Sequence, residues 1–430
     1  MIYPMKKQVV LFSSLFIAMA LMLGVASCKK KDNKNTFALS TLVAQLIGGN
    51  IDLNGALPSD QVPSNPTIVA TFTLDVNAAS VDSSTIILLR DWDKKNIPLS
   101  VKTSGTTITI IPKEELGNGA MFKLTFPNVT SIDGETYASF VRTFKTIGTF
   151  VPAGQIAYWN FENNANDQVG TFNADSIINI TYTASYKTAA GLAATFDGTT
   201  SIIEIPNGDQ LSNTSEFSLC FWLKTNSINH VDADGNPKGH FVIGLGAFYG
   251  FQFEIQPTYA ECKLGATYDC GAPATNPHDL MFNGDGLTKD NGGWKACTFS
   301  KPLTPTPAEG MVALIKDKWV QVVFVFNGPT KVATMYFNGE KMKEEDFNLA
   351  DPTLNAATGL KWAGLPPDVY PRLAFGFIKS RQGTLWATQP WGGYTLPTSN
   401  HFGGQLDDVR IFHRALNATE IDLMYASEKP

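Results

Sequence analysis

Glu420 and Asp422 stand two apart in Glu420-Ile421-Asp422-Leu423-Met424-Tyr425. At that spacing a strand aims two carboxylates into one cleft, as the acid and nucleophile of glycoside hydrolysis require. A third acid belongs three residues further on, and Tyr425 occupies its place. Asn417 is placed as an N-cap, and Ile421, Met424 and Tyr425 recur at helical spacing, so the segment is expected to be a helix that scatters its carboxylates. A Gly-x-Ser-x-Gly elbow, a His-Glu-x-x-His pair and a Gly-rich phosphate loop are all missing from the sequence. The expectation is therefore a protein that is not an enzyme. Glu254, Glu261, Asp269, Asp279 and Asp285 could together line a cleft, although acids in loops ordinarily face solvent.

Rings are the second chemical resource. Trp362, Tyr370, Trp386, Trp391 and Tyr394 fall among glycines and prolines between Ala350 and His401. Aromatics in such a loop do not alternate into a sheet core, and a flat ring facing water offers a platform for the apolar face of a sugar. Packing of the same rings onto the body of the protein is the competing reading, and the sequence leaves both open. Cysteine is the third resource. Besides Cys28 there are Cys220, Cys262, Cys270 and Cys297, an even number that outside the cytoplasm suggests disulfides, with Cys262 and Cys270 the expected pair. Zinc is disfavoured because His278 stands alone between Pro277 and Asp279, away from ligand spacing. Cys220, inside Phe217-Ser218-Leu219-Cys220-Phe221-Trp222-Leu223, reads as a buried free thiol.

The elements that position these groups read as strands. Of the 430 residues only 17% are charged, glycine and proline are plentiful, long helical periodicities are scarce, and the net charge is -6 without a basic stripe. That composition points to a secreted all-β protein and excludes nucleic acid as a partner. Lys6 and Lys7, the apolar run Val9 to Val25 and the small-residue site Val25-Ala26-Ser27-Cys28 resemble a bacterial lipoprotein signal. The resemblance implies a signal peptide over residues 1–27 and a lipid on Cys28. It also implies a lipid-anchored protein of the cell envelope, at the outer membrane, facing the periplasm or the exterior. An uncleaved membrane helix is the alternative for the same run. Residues 28–48, rich in lysine and asparagine at their start, are expected to be a solvated tether.

Short alternating strands at Ile68–Leu74, Thr85–Leu89, Leu99–Lys102, Thr106–Ile111, Met121–Phe126 and Phe140–Phe144 predict a small Greek-key sandwich over residues 49–148. Val62-Pro63-Ser64-Asn65-Pro66 and Pro112-Lys113-Glu114-Glu115-Leu116 in this stretch resemble the bacterial Ig-like module of surface-layer and other secreted proteins, which implies a spacer or assembly role. Residues 149–154 read as a linker.

Residues 155–430 open on Ala157-Tyr158-Trp159-Asn160-Phe161-Glu162 and continue through Phe196-Asp197-Gly198 and the Cys220 strand. They go on with Trp319-Val320-Gln321-Val322, Tyr336-Phe337-Asn338-Gly339 and Leu406-Asp407-Asp408-Val409-Arg410-Ile411-Phe412. In that order these resemble the laminin-G-like, concanavalin A-like jelly roll, with insertions near 257–310 and 350–401. In the Cys220 strand a period of two sends Phe217, Leu219, Phe221 and Leu223 to one face, as two stacked sheets require. Trp159, Trp222 and Trp319 are expected to be structural. The resemblance implies carbohydrate recognition and one structural calcium, with Asp167 and Asp407 as ligands. The expected fold is thus all-β, a small Ig-like Greek-key sandwich followed by a larger concanavalin A-like (laminin-G-like) jelly-roll sandwich. The expected function is a membrane-anchored lipoprotein that binds a polysaccharide or glycoconjugate. The alternatives are a polysaccharide-degrading hydrolase or lyase and a module that binds a protein partner in the cell envelope.

Overall fold

The computed structural model describes residues 36–55 and 58–430. The signal ending at Cys28 lies outside them, and among the described residues no helix is long and apolar enough to cross a membrane.

In Thr67-Ile68-Val69-Ala70-Thr71-Phe72 every second side chain is buried, the consequence of a pleat with a period of two. Strands of this kind stack into two five-stranded sheets. One runs Gly49–Asp52, Leu39–Leu46, Thr67–Phe72, Thr107–Pro112, Leu99–Ser104. The other runs Ser59–Val62, Phe140–Thr146, Met121–Phe126, Ile87–Arg90, Asn96–Ile97. Within the stretch 28–48 expected to be a tether, Leu39–Leu46 is instead a strand of this sandwich. Leu42 and Ala44 alternate into the core, and Leu39–Leu46 pairs along Thr67–Phe72, so this sandwich begins ten residues before its expected boundary at residue 49.

The second sandwich stacks a nine-stranded sheet on an eight-stranded one, almost wholly antiparallel. At the centre of the first lie Gly403–Phe412, Glu216–Thr225 and Trp319–Asn327. At the centre of the second lie Leu373–Phe375, His240–Leu245, Phe251–Ile255 and Cys262–Asp269. Phe217, Leu219, Phe221 and Leu223 face the core as expected. Phe217 meets Phe251 and Phe221 meets Phe253 across the layers, each at 5.2 Å between ring centres. Asn338 and Gly339 take positive φ in the two-residue turn between Val332–Phe337 and Glu340–Asp346, the conformation an Asn-Gly hairpin needs. Ala418–Glu428 is the expected helix, its end closed by a capping box between Asn417 and Glu420. It buries Ile421 and Met424 among Cys220, Val323 and Phe412, so the outer face of the nine-stranded sheet is covered as well.

The segment 257–310 departs from the loop-rich insertion expected. It supplies Cys262–Asp269 and Thr275–Phe282 to the eight-stranded sheet and Cys297–Ser300 to the nine-stranded one, and a helix begins at Pro307. Pro277 disguised the second of these strands. Thr275–Phe282 is an edge strand, where a missing N–H breaks no ladder on the open side. Segment 350–401 is mostly irregular, but Leu373–Phe375 within it is an interior strand of the eight-stranded sheet.

Candidate functional site

Alternation along Phe251-Gln252-Phe253-Glu254-Ile255 sends the apolar residues inward and leaves Gln252 and Glu254 on the outer face of the eight-stranded sheet. Pairing in register sets Lys263 opposite Glu254 and Gly265 opposite Gln252. Asp279 on the edge strand falls opposite Gly265. A β-carbon on Gly265 would collide with the Asp279 carboxylate, so glycine there lets that side chain lie across the strand toward Lys263. The Lys263 ammonium stands 2.8 Å from Asp279 and 3.2 Å from Glu254. Burial pushes Glu254 and Glu261 above the usual carboxylate range. Burial also opposes charge on Lys263, yet Glu254 and Asp279 outweigh it and raise the ammonium.

The irregular chain after Ile378 folds over the neighbouring part of this face, around Ile202, Phe241, Ala374 and Phe377. It brings Trp386 and Trp391 to the border of the acidic floor, 4.9 Å apart and tilted by 58°. Trp386 is backed by Phe248 and Trp391 by the edge of Phe241. Asn400 ties the segment down, accepting from the amide of Gly239 through its side chain and from that of Phe241 through its carbonyl. Rings and floor enclose a cleft of about 430 Å³ lined by Gln252, Glu254, Gln256, Lys263, Trp386, Trp391 and their neighbours. Trp391 is 40% exposed. Gln252 is 3% exposed, and its side-chain oxygen has no hydrogen-bond partner.

Of the five rings expected to bind, the structure brings only these two together. Trp362 fills the space beside Gly246, Gly364 and Val369 and borders a separate shallow hollow with Lys361 and Asp269. Tyr394 packs on Phe377 and His401 and donates to the Thr200 carbonyl. Tyr370 is half-buried outside the cleft lining. Among the five acids, Glu254 lines the cleft, Asp279 pairs with Lys263 outside the lining, and Glu261 lies within electrostatic reach of both. Gln252, Gln256, Lys263 and Asn400 had no reading in the sequence. The signal for the glutamines was there, since Gln252, Glu254 and Gln256 alternate with Phe and Ile.

The pair Cys262 and Cys270 is not a disulfide. The two flank one extended strand, Cys262–Asp269, whose eight residues hold them ~25 Å apart, and all four described cysteines are free. Burial raises the thiols of Cys220 and Cys262.

Calcium does not fit Asp167 and Asp407. Asp167 accepts the backbone amides of Tyr158, Val169 and Phe172. Asp407 is buried, accepts from Ser185 and the Asp408 amide, and is pushed up to about 9 by burial and by Asp408 beside it. Among the described residues no group of three or more His, Cys, Asp or Glu side chains converges as a metal site. These aspartates hold the fold together. A bulge opposite Cys220 and Trp222 puts Asp408 at positive φ, and its carboxylate takes the hydroxyls of Tyr158 and Tyr186 and one arm of Arg410. Arg410 in turn meets Glu428, which accepts from the Trp222 indole and from Gln321.

A hollow of about 610 Å³ lies elsewhere, near Asp197, His230 and Lys238. Its polar groups are spent on their own loops. Asp197 accepts from Thr199, Thr200 and Ser201, Lys238 donates to the Gly198 and Pro397 carbonyls, and His230 pairs with the Gly239 carbonyl. No aromatic platform of the Trp386–Trp391 kind borders it.

Fold and site define the class: an all-β protein in which an N-terminal Ig-like domain precedes a larger antiparallel sandwich. Residues 53–146 match the family model of the bacterial Ig-like domain. Over 118 residues the chain is 30% identical to an S-layer protein of Geobacillus stearothermophilus, which covers 26% of this chain and 10% of that protein. The chain thus spans a tenth of the length of this curated relative. Among solved structures, similarity is found to the botulinum neurotoxin type G receptor binding domain, with a TM-score of 0.37 and 14% identity over 64% of this chain and 51% of that one. It is also found to the binding domain of paraclostridial mosquitocidal protein 1, with a TM-score of 0.40 and 14% identity over 63% of this chain and 52% of that one.

Proposed function

We propose that the second sandwich is a glycan-binding module of the laminin-G-like, concanavalin A-like type. In this reading a lipid on Cys28 anchors the protein to the cell envelope, and the Ig-like domain is the spacer. One observation carries the binding reading. Two indoles, one of them partly open to water, border a cleft whose floor is a row of amides and charged groups, the combination that receives a pyranose face and its hydroxyls. The anchor rests on the residues before and at Cys28.

A hydrolase is the second reading, favoured by the two carboxylates of Glu254 and Asp279, whose nearest oxygens both touch one ammonium and so lie within ~6 Å of each other. Lys263 counts against it, because the same ammonium holds both acids as ion-pair partners and leaves neither free as an unpaired acid or nucleophile. A glycan array with Trp386→Ala and Trp391→Ala separates the readings. Each variant is expected to lose on the order of 2 kcal/mol of affinity, about 30-fold, with the thermal midpoint unchanged. Undiminished binding by both variants would sink the proposal. Reducing-sugar release that stops in Glu254→Gln would establish the hydrolase instead.

A further inference from the structure

We infer that the cleft takes glycans without acid groups, amino sugars among them, and rejects those carrying uronate, sialate or sulfate. The inference rests on the glycan reading and concerns which glycans the same cleft admits.

Two observations lead to it. The first is charge. Glu254 is the acid among the lining residues and Lys263 the one base; Asp279 pairs with Lys263 from outside the lining, and Glu261 adds a third acid within electrostatic reach. Lys263 already lies against two carboxylates, so its charge is spent and none remains for an anion. An acidic sugar over this floor meets like charge in a partly desolvated site, an arrangement that excludes wrong partners.

The second is hydrogen-bonding capacity, independent of net charge. The side-chain oxygen of Gln252 is buried and unpaired, and Gln252 lines the cleft. A buried acceptor left unmet is costly, and only a donor relieves it. Sugar hydroxyls, acetamide N–H groups and ammonium groups donate. An ionised carboxylate or sulfate offers acceptors alone. The Gln252 amide and the Glu254 carboxylate therefore ask the ligand for the same thing, protons to share.

The test uses the protein on an array of neutral, N-acetylated, amino, uronate-bearing, sialylated and sulfated oligosaccharides, with Trp391→Ala as the control for this cleft. Binding is expected to be confined to the first three classes, to vanish in Trp391→Ala, and to exceed that of acidic glycans of equal length by about tenfold or more. The double variant Glu254→Gln/Asp279→Asn is expected to narrow the gap. If that variant does not fold, salt on the unaltered protein serves instead, since screening shrinks the discrimination. Trp391-dependent binding of acidic glycans at equal strength would overturn the selectivity and leave glycan binding standing. A gap that neither neutralisation nor salt narrows would also overturn the selectivity. Binding to no class, or binding indifferent to Trp391, would overturn the glycan reading and this inference together.

Discussion

Asp407 shows how a single side chain can be conspicuous in sequence and do something other than its type suggests. By resemblance Asp407, with Asp167 in an earlier turn, reads as a calcium ligand, because sequence displays carboxylates and conceals the backbone amides and the serine that use them. In the folded protein Asp407 holds its proton up to about 9, whereas an unfolded aspartate titrates near ~4. Between these values the folded state binds the extra proton, so this group lowers stability progressively as pH rises through that window. Asn in its place carries no charge, accepts from the Asp408 amide and donates to Ser185. Asp407→Asn is therefore expected to be more stable than the unaltered protein at pH 8, by a margin that shrinks as pH falls toward ~4, read from urea unfolding at several pH values. An equal loss of stability at every pH would show that Asp407 is not held protonated. The rings divide for a comparable reason. Trp386 and Trp391 were legible as loop aromatics, but whether a loop ring lines a cleft or packs down, as Tyr394 does on Phe377, depends on a loop path that period and composition do not encode.

Elements were legible where one residue pattern had one reading. The strand at Glu216–Thr225 alternates, the hairpin turns on Asn-Gly, and the last helix starts at a cap, and all three stand where their patterns put them. The cleft floor was harder to see, because two of its three strands carry residues that ordinarily argue against strands. Gly265 is there for the carboxylate that crosses it, and Pro277 is tolerated by an open edge. The C-terminal helix gives this scale its prediction. Asn417 accepts the Glu420 amide, Glu420 returns to the Asn417 amide, and Arg414 clamps Glu420 with two bonds of 2.7 and 2.9 Å. Because the helix also carries Glu428 to Arg410, fraying its start loosens a buried ion pair at its end. Asn417→Ala is expected to cost ~1 kcal/mol in urea unfolding. A cost indistinguishable from zero would mean that tertiary packing holds the helix without its cap.

At the scale of the whole molecule the two sandwiches are joined by packing as well as by chain. Residues 149–154 were expected to be a plain linker, yet Phe150 is 4% exposed and meets Trp92 edge to face at 5.6 Å. The Phe150 amide donates to the Ser427 hydroxyl on the C-terminal helix, and Arg414 donates to the Ala153 carbonyl. The apolar cluster of the first sandwich therefore runs on into Leu416 and into Ile421 and Met424 on the buried face of that helix. Pattern reading misses such a seam because an apolar residue in a short irregular segment looks the same in a free linker. An Ig-like domain docked this way holds its neighbour at a fixed angle, whereas a flexible linker would let the cleft swing. Truncating Phe150 removes a ring from both partners at once, and Phe150→Ala is expected to cost ~3 kcal/mol. Calorimetry decides the matter. Docked sandwiches unfold in one cooperative transition that Phe150→Ala splits into two, while two separate transitions already present in the unaltered protein would show that the seam couples nothing.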